Sequence, residues 1–195
     1  YRGHWLVFFS HPADFTPVCT TEFVAFAKAK PQFDAIGAEL LGLSVDSVYA
    51  HLAWIADIER RYGVRIAFPV VEDISMSVAR AYGMLHPEAD STAAVRATVV
   101  IDPDGLVRAM ITYPMNVGRS VGEILRLVRA LQVSDAQGVV LPEGWTEGQA
   151  ALAPPPESRA EMEIRRLSPE AGMETGAETG RAWYLTPIPG GRHGE

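Results

Sequence analysis

Cysteine occurs once in these 195 residues, at Cys19. That scarcity excludes an intrachain disulfide, a four-cysteine zinc site and a CxxC redox pair, and it leaves two readings, an inert core thiol or a reactive one. Positive charge is also scarce. Basic residues number 17 against 24 acidic, for a net charge of −7, and no run of five like charges occurs. A nucleic-acid partner or an acidic membrane surface is therefore not expected. Long apolar runs are missing as well: the longest, Trp5-Leu6-Val7-Phe8-Phe9, is far short of the roughly 18 residues a membrane span requires. His4, His51, His86 and His193 show no HxH or HExxH spacing, so no metal site is expected.

What is present fits a globular chain. Apolar residues make up 48% and mean hydropathy is near zero, at +0.05, consistent with a core of its own. The length exceeds a typical domain of about 150 residues and falls short of two, so one domain plus an extension is expected. Composition puts the break near residue 135. The last 60 residues hold 7 of the 14 prolines and 9 of the 17 glycines, which makes them too loop-rich to bury a core alone. Residues 1–135 are read as the main domain and 136–195 as an arm packed on it or on a partner subunit. Tyr1, with a core strand starting almost at once, predicts that the chain lacks its true beginning.

Within 1–135, β-leaning runs alternate with helical patterns. Trp5 to Ser10, Leu40 to Val45 and Phe68 to Val71 read as buried strands. The stretch from Val18 to Phe33 carries Phe23, Phe26, Ala27, Lys30 and Phe33 at helical spacing, and the helix after Asp46-Ser47 is expected to bury Val48, Leu52, Ile55 and Ile58. A short helix is expected over Ser75 to Tyr82. Arg96 to Ile101 and Leu106 to Tyr113 flank Asp102-Pro103-Asp104-Gly105, a hairpin turn. Arg119 to Val133 is the clearest amphipathic helix. The order predicts an α/β fold with a mixed sheet covered on both faces.

Cys19 falls where a strand gives way to a helix, in Ser10-His11-Pro12-Ala13-Asp14-Phe15-Thr16-Pro17-Val18-Cys19-Thr20-Thr21-Glu22. Thr16 suits an N-cap and Pro17 the first helical position, so Cys19 lies in the first turn. Unpaired amide N–H groups and the positive end of the helix dipole favour a thiolate there. Full ionisation of an ordinary thiol raises its nucleophile population about 30-fold at pH 7, which is about 2 kcal/mol. A dedicated enzyme needs more, so an active site must also hold and polarise its substrate.

Pro12-x-x-x-Thr16-x-x-Cys19 resembles the active-site motif of the peroxiredoxins. The longer string from Phe9 to Glu22, the block Leu43-Ser44-Val45-Asp46-Ser47-Val48 with His51-Leu52-Ala53-Trp54, Arg96, Tyr113-Pro114, Gly118-Arg119 and Glu123-Ile124-Leu125-Arg126 resemble the one-cysteine, peroxiredoxin 6 subfamily in order. The likeness is close over residues 5 to about 135 and looser beyond. It implies a thioredoxin-like fold with an extended C-terminal arm and a thiol-dependent peroxidase for hydrogen peroxide and organic hydroperoxides. By the same resemblance, Cys19 is the peroxidatic nucleophile that becomes a sulfenic acid. Thr16 positions the peroxide, Pro12 shields the thiolate from water, and Arg96 brings a guanidinium to the sulfur and to the developing oxygen charge. Glu22 and Arg119 hold Arg96, and His11 contacts substrate or reductant.

Taken as residues alone, several of these have plainer places. Arg119 fits an exposed first helical turn, Glu22 an ordinary first-turn acid, His11 a loop and Arg96 a solvated strand edge.

No cofactor is implied. With no second cysteine to resolve the sulfenic acid, the resemblance implies an external thiol such as glutathione, thioredoxin or another small dithiol. It also implies a homodimer joined by the arm, with rings of dimers as a further assembly, and a cytoplasmic location. Pro154-Pro155-Pro156, a helical stretch from Glu157 to Leu167 and Trp183-Tyr184-Leu185 belong to that arm. Some subfamily members combine the peroxidase with a phospholipase activity that uses a serine just before the first core strand. Here Gly3-His4-Trp5-Leu6 has His4 at that position, so the lipase reading lacks its hydroxyl nucleophile. A holdase chaperone built from dimers is the rival from another class, and Cys19→Ser separates it from the peroxidase.

Overall fold

Along Trp5–Ser10 successive side chains point to opposite faces of a strand, and all but Trp5 are buried. Strand β1 (Trp5–Ser10) must therefore be covered on both sides. In this computed structural model, which describes residues 1–85, 92–167 and 182–188, the remaining elements follow in order. They are α1 (Pro17–Ala35), β2 (Ala38–Ser44), α2 (Val48–Tyr62), β3 (Val70–Glu72), α3 (Ser77–Ala81), β4 (Arg96–Ile101), β5 (Val107–Tyr113), α4 (Val121–Gln137), β6 (Ala151–Leu152), α5 (Arg159–Leu167) and β7 (Pro187–Ile188). The chain divides into two compact units, Tyr1–Leu125 and Arg126–Glu195. Among the described residues no helix is long and apolar enough to cross a membrane.

In the first unit the strands lie in the order β3-β2-β1-β4-β5. The pairs β1–β2 and β2–β3 are parallel, and β1–β4 and β4–β5 antiparallel. This is the expected mixed sheet flanked by helices, with thioredoxin-like topology. On one face Phe9 stacks on Phe26 of α1 at 4.2 Å and meets Phe23 and Phe68 edge-on at 5.8 and 5.7 Å. Trp54 of α2 closes this layer, 4.5 Å from Phe23. On the other face Leu6, Phe8, Leu43, Ala97 and Val99 pack with Ala79 of α3 and with Met84. Burying each large side chain contributes about 1.5–3 kcal/mol, so both layers fix where α1 begins relative to the end of β1. The β4–β5 hairpin turns where expected: Asp102 Oδ1 accepts from the amides of Asp104 and Leu106, and Gly105 takes φ +88°.

Several local expectations change. The buried face of α2 is His51, Trp54 and Ile58, while Val48 and Leu52 are exposed. The helix is rolled so that an imidazole and an indole point inward. β3 is shorter and later than expected, and Phe68 lies before it in the aromatic cluster. Lys30 is not among the fully buried residues of α1, and it forms an ion pair with Asp34. α4 starts at Val121, leaving Arg119 before the helix. In the second unit, Ala130, Val133 and Trp145 form a small cluster with Leu141, and β6 pairs with β7 antiparallel, a pairing the sequence reading lacks. His86 and His193 lie outside the described residues.

Candidate active site

β1 ends at Ser10 and α1 begins at Pro17, so the loop between them lies at the carboxyl end of the central strand, the usual ligand end of such sheets. Backbone bonds tie this loop down: His11 N–H donates to the Leu43 carbonyl at 2.9 Å, and Asp14 N–H donates to Asp46 Oδ2 at 3.0 Å. Phe15 occupies the left-handed region at φ +55°, a conformation that costs an L-residue about 1–2 kcal/mol. Thr16 is the N-cap residue, as its sequence position suggests, but its side chain makes no cap bond. Its hydroxyl instead donates back to the Ala13 carbonyl at 2.8 Å. With its proton committed there, Oγ1 has lone pairs left with which to accept.

Cys19 sits in the first turn of α1 with no exposed surface. Arg96, the first residue of β4, extends Nη1 to 3.3 Å from Cys19 Sγ and 2.9 Å from Glu22 Oε2, while its Nε donates to the Met115 carbonyl at 2.9 Å. Glu22, one turn after the cysteine, is buried and gripped by Arg119. The Arg119 amide and Nε reach Oε1 at 2.8 and 3.0 Å, and Nη2 reaches Oε2 at 2.7 Å. Arg119 Nη1 ends on the Ala97 carbonyl at 2.9 Å, and the guanidinium lies 5.2 Å from the ring centre of Phe9. Burial pushes the Glu22 carboxyl up, but the hydrogen bonds and charge of Arg119, with Arg96 adding, prevail and hold it below the usual carboxylate range. One carboxylate thus sets the position of two arginines, and one of these donates to the thiol sulfur. Arg119, Glu22 and Arg96 are all buried, which removes their surface readings.

Pro12 is buried in the same loop. Thr16 and Thr20 line an open groove of about 420 Å³ together with Phe15, Pro17, Trp54 and Tyr62, so the loop meets solvent on that side although the sulfur does not. His11 has no exposed surface, and its Nε2 lies 2.8 Å from Asp14 Oδ1. The expected contact with substrate or reductant falls on a side chain already committed to a carboxylate. Its Nδ1 is, among the described residues, the buried side-chain polar atom without a partner.

The sequence reading missed the other side of Asp14, where His51 Nδ1 lies 2.7 Å from Oδ2. A signal was present in the helical spacing of His51, Trp54 and Ile58. His11, Asp14 and Asp46 offer ligand atoms within 4.8 Å of one another. Those oxygens already accept from His11, His51, Ser44 Oγ and the Asp14 amide, so the carboxylates of the cluster are satisfied within the protein.

A lone thiol at a helix start, with a buried arginine donating to its sulfur on a thioredoxin-like mixed sheet, belongs to a chain whose relatives are thiol peroxidases. The AhpC/TSA family model matches residues 1–110 and the C-terminal domain of 1-Cys peroxiredoxin matches residues 130–165. A peroxiredoxin of Aquifex aeolicus is 47% identical over 194 residues, 95% of this chain and 84% of that one. Among solved structures, a yeast mitochondrial 1-Cys peroxiredoxin, described for thiol resolution via glutathione/thioredoxin systems, superposes with TM-score 0.78 at 39% identity, covering 96% of this chain and 88% of that chain. A mutant of the Peroxiredoxin 6 of Arenicola marina does so with TM-score 0.81 at 32% identity, over 98% and 88%. The chain belongs to the AhpC/TSA family, among its one-cysteine peroxiredoxins. It is a thiol-dependent peroxidase: it reduces hydroperoxides through a cysteine sulfenic acid that an external thiol recycles.

Proposed function

We propose that Cys19 is the peroxidatic nucleophile and that Arg96, Thr16 and Pro12 complete its active site, with Glu22 and Arg119 positioning Arg96. The Cys19 thiolate attacks one peroxide oxygen; the S–O bond forms as the O–O bond breaks, and sulfur is oxidised by two electrons while the peroxide is reduced. The departing oxygen takes a proton and leaves as water or an alcohol, giving the sulfenic acid. Arg96 meets the negative charge as it moves from sulfur to the leaving oxygen, which is where a fixed donor lowers the barrier most. Thr16, its own proton held by Ala13, accepts from the peroxide O–H and orients it. Two external thiols then return the cysteine, forming a disulfide and water. Glutathione or a thioredoxin-type dithiol in a reducing, cytoplasmic setting fits a chain with one free thiol.

The observation that carries this reading is the 3.3 Å approach of Arg96 Nη1 to the sulfur within a buried Arg96–Glu22–Arg119 cluster. Cys19→Ser is expected to abolish peroxide turnover while circular dichroism shows an intact fold. Mass spectrometry after stoichiometric peroxide is expected to find one trapped sulfenic acid, at Cys19, which glutathione or a dithiol reduces. Turnover retained by Cys19→Ser overturns the assignment.

The expected division, with residues 1–135 as the peroxidase domain and 136–195 as a dimer arm, belongs to the same proposal. β5 is an edge strand among the described residues with Val107 and Met110 exposed, and Leu167 of α5 is 79% exposed. Edges and apolar residues of this kind are what a second copy covers.

A further inference from the structure

Asp14 stands between two imidazoles in the interior of the first unit. His11 Nε2 meets Oδ1 at 2.8 Å and His51 Nδ1 meets Oδ2 at 2.7 Å. The opposite nitrogen of His51, Nε2, faces the Val71 carbonyl of β3 at 3.3 Å. A carboxylate and a carbonyl only accept, so both ring nitrogens of His51 must donate for both bonds to form, and the doubly protonated cation does that. The group of three is thus neutral as a whole: an imidazolium, a carboxylate and a neutral imidazole.

The position of Asp14 gives this arrangement its consequence. It is followed by Phe15 in the left-handed conformation and then by Thr16, Pro17 and Cys19. Asp46 holds the Asp14 amide and His51 holds its side chain, so the loop is fastened by backbone to the end of β2 and by side chain to α2. A strained residue persists only where its neighbours over-determine it.

We infer that His51 is a positioning residue for the peroxidase reaction, fixing through Asp14 the loop that carries Thr16 and opens the helix of Cys19. The inference rests on the roles of Cys19 and Thr16 proposed above. The charged groups facing His51 are Asp14 from the loop and Asp46 from the turn after β2; neutral His11, with ring centres 6.3 Å away, lies at the end of β1, and Arg119 acts on His11. Burial pushes His51 down, but the bond and charge of Asp14, with the Val71 carbonyl and Asp46, raise it above its ordinary 6.5. The doubly bonded latch is therefore intact at and below about pH 6.5, and as pH rises through the raised value His51 loses its charge and, left with one N–H, one of its two bonds.

The test is stopped-flow oxidation of Cys19 by hydrogen peroxide, normalised at each pH to the thiolate fraction measured by alkylation. His51→Leu leaves Asp14 without its cation and is expected to slow oxidation by about tenfold or more, since small misplacements of reacting groups are costly. His51→Asn sets an amide N–H near the former Nδ1 and is expected to recover most of that loss. The normalised rate of the wild-type chain is expected to fall on the alkaline side, and this limb is expected to be missing in His51→Asn, whose amide does not titrate. A purely structural histidine would not shift that limb. Wild-type rates in His51→Leu, or an alkaline limb that survives in His51→Asn, overturn the inference; if His51→Leu does not fold, the pH profile of His51→Asn decides alone. Should the wild-type chain turn over peroxide no better than Cys19→Ser, the reading of Cys19 falls first and the inference falls with it.

Discussion

Arg96 is asked to do three things with one guanidinium: Nη1 is shared between the Cys19 sulfur and Glu22, and Nε is fixed on the Met115 carbonyl. Arg96→Met keeps the length and removes the charge and every donor. Oxidation of Cys19 is expected to slow roughly 10²-fold, the usual cost of losing a fixed donor to developing oxygen charge, as read by stopped-flow with hydrogen peroxide. An unchanged rate would remove Arg96 from the mechanism. Cys19, Arg96, Glu22 and Arg119 were all legible in the sequence through the motifs that carry them, although residues alone left Arg119 and Glu22 with surface readings. What their letters could not convey was the bidentate grip of Arg119 on Glu22, because the partners are 97 residues apart. Thr16 was legible as a cap position, but its hydroxyl turns back to Ala13 because the loop curls over itself at Phe15.

At the level of elements, α2 matters through what it presents. Its buried face is His51, Trp54 and Ile58, and the expected Val48-Leu52 face is exposed because the aromatic layer takes Trp54 against Phe23. Apolar counting favours aliphatic residues and undervalues an indole and a paired imidazole, which is why the roll of this helix was not legible in the pattern. The element is well terminated. Ser47 Oγ accepts from the Ala50 amide at 3.2 Å, and Gly63 closes the helix at φ +62° with its amide on the Glu59 carbonyl. Ser47→Ala is expected to destabilise the fold by about 1 kcal/mol, as lost caps generally do, read as a lower denaturant midpoint at unchanged slope. A midpoint equal to wild type would mean that α2 holds His51 in place without its cap. β3 was displaced in the sequence reading for a related reason: Phe68 looks like strand but serves the aromatic layer, and the pairing with β2 begins only at Val70.

For the whole molecule, the mixed sheet was legible because strand and helix periods alternate cleanly up to the β4–β5 hairpin. The second unit was not, since its pieces are short: β6 and β7 have two residues each. If the β5 edge and Leu167 are covered by a second copy, sedimentation of the chain is expected to give about twice the 21.2 kDa of one chain, and a monomer at micromolar concentration would refute the dimer. The strand order has a temporal consequence too. Cys19 follows β1, the centre of the sheet, but its guanidinium partner arrives on β4, 77 residues later, and the arginine that steadies Glu22 comes 97 residues after it. During synthesis the thiol emerges early and the two arginines late, so on the roles proposed for Arg96 and Arg119 the chain becomes reactive only when the antiparallel half of the sheet has closed; catalytic competence is then itself a report that this sheet is complete.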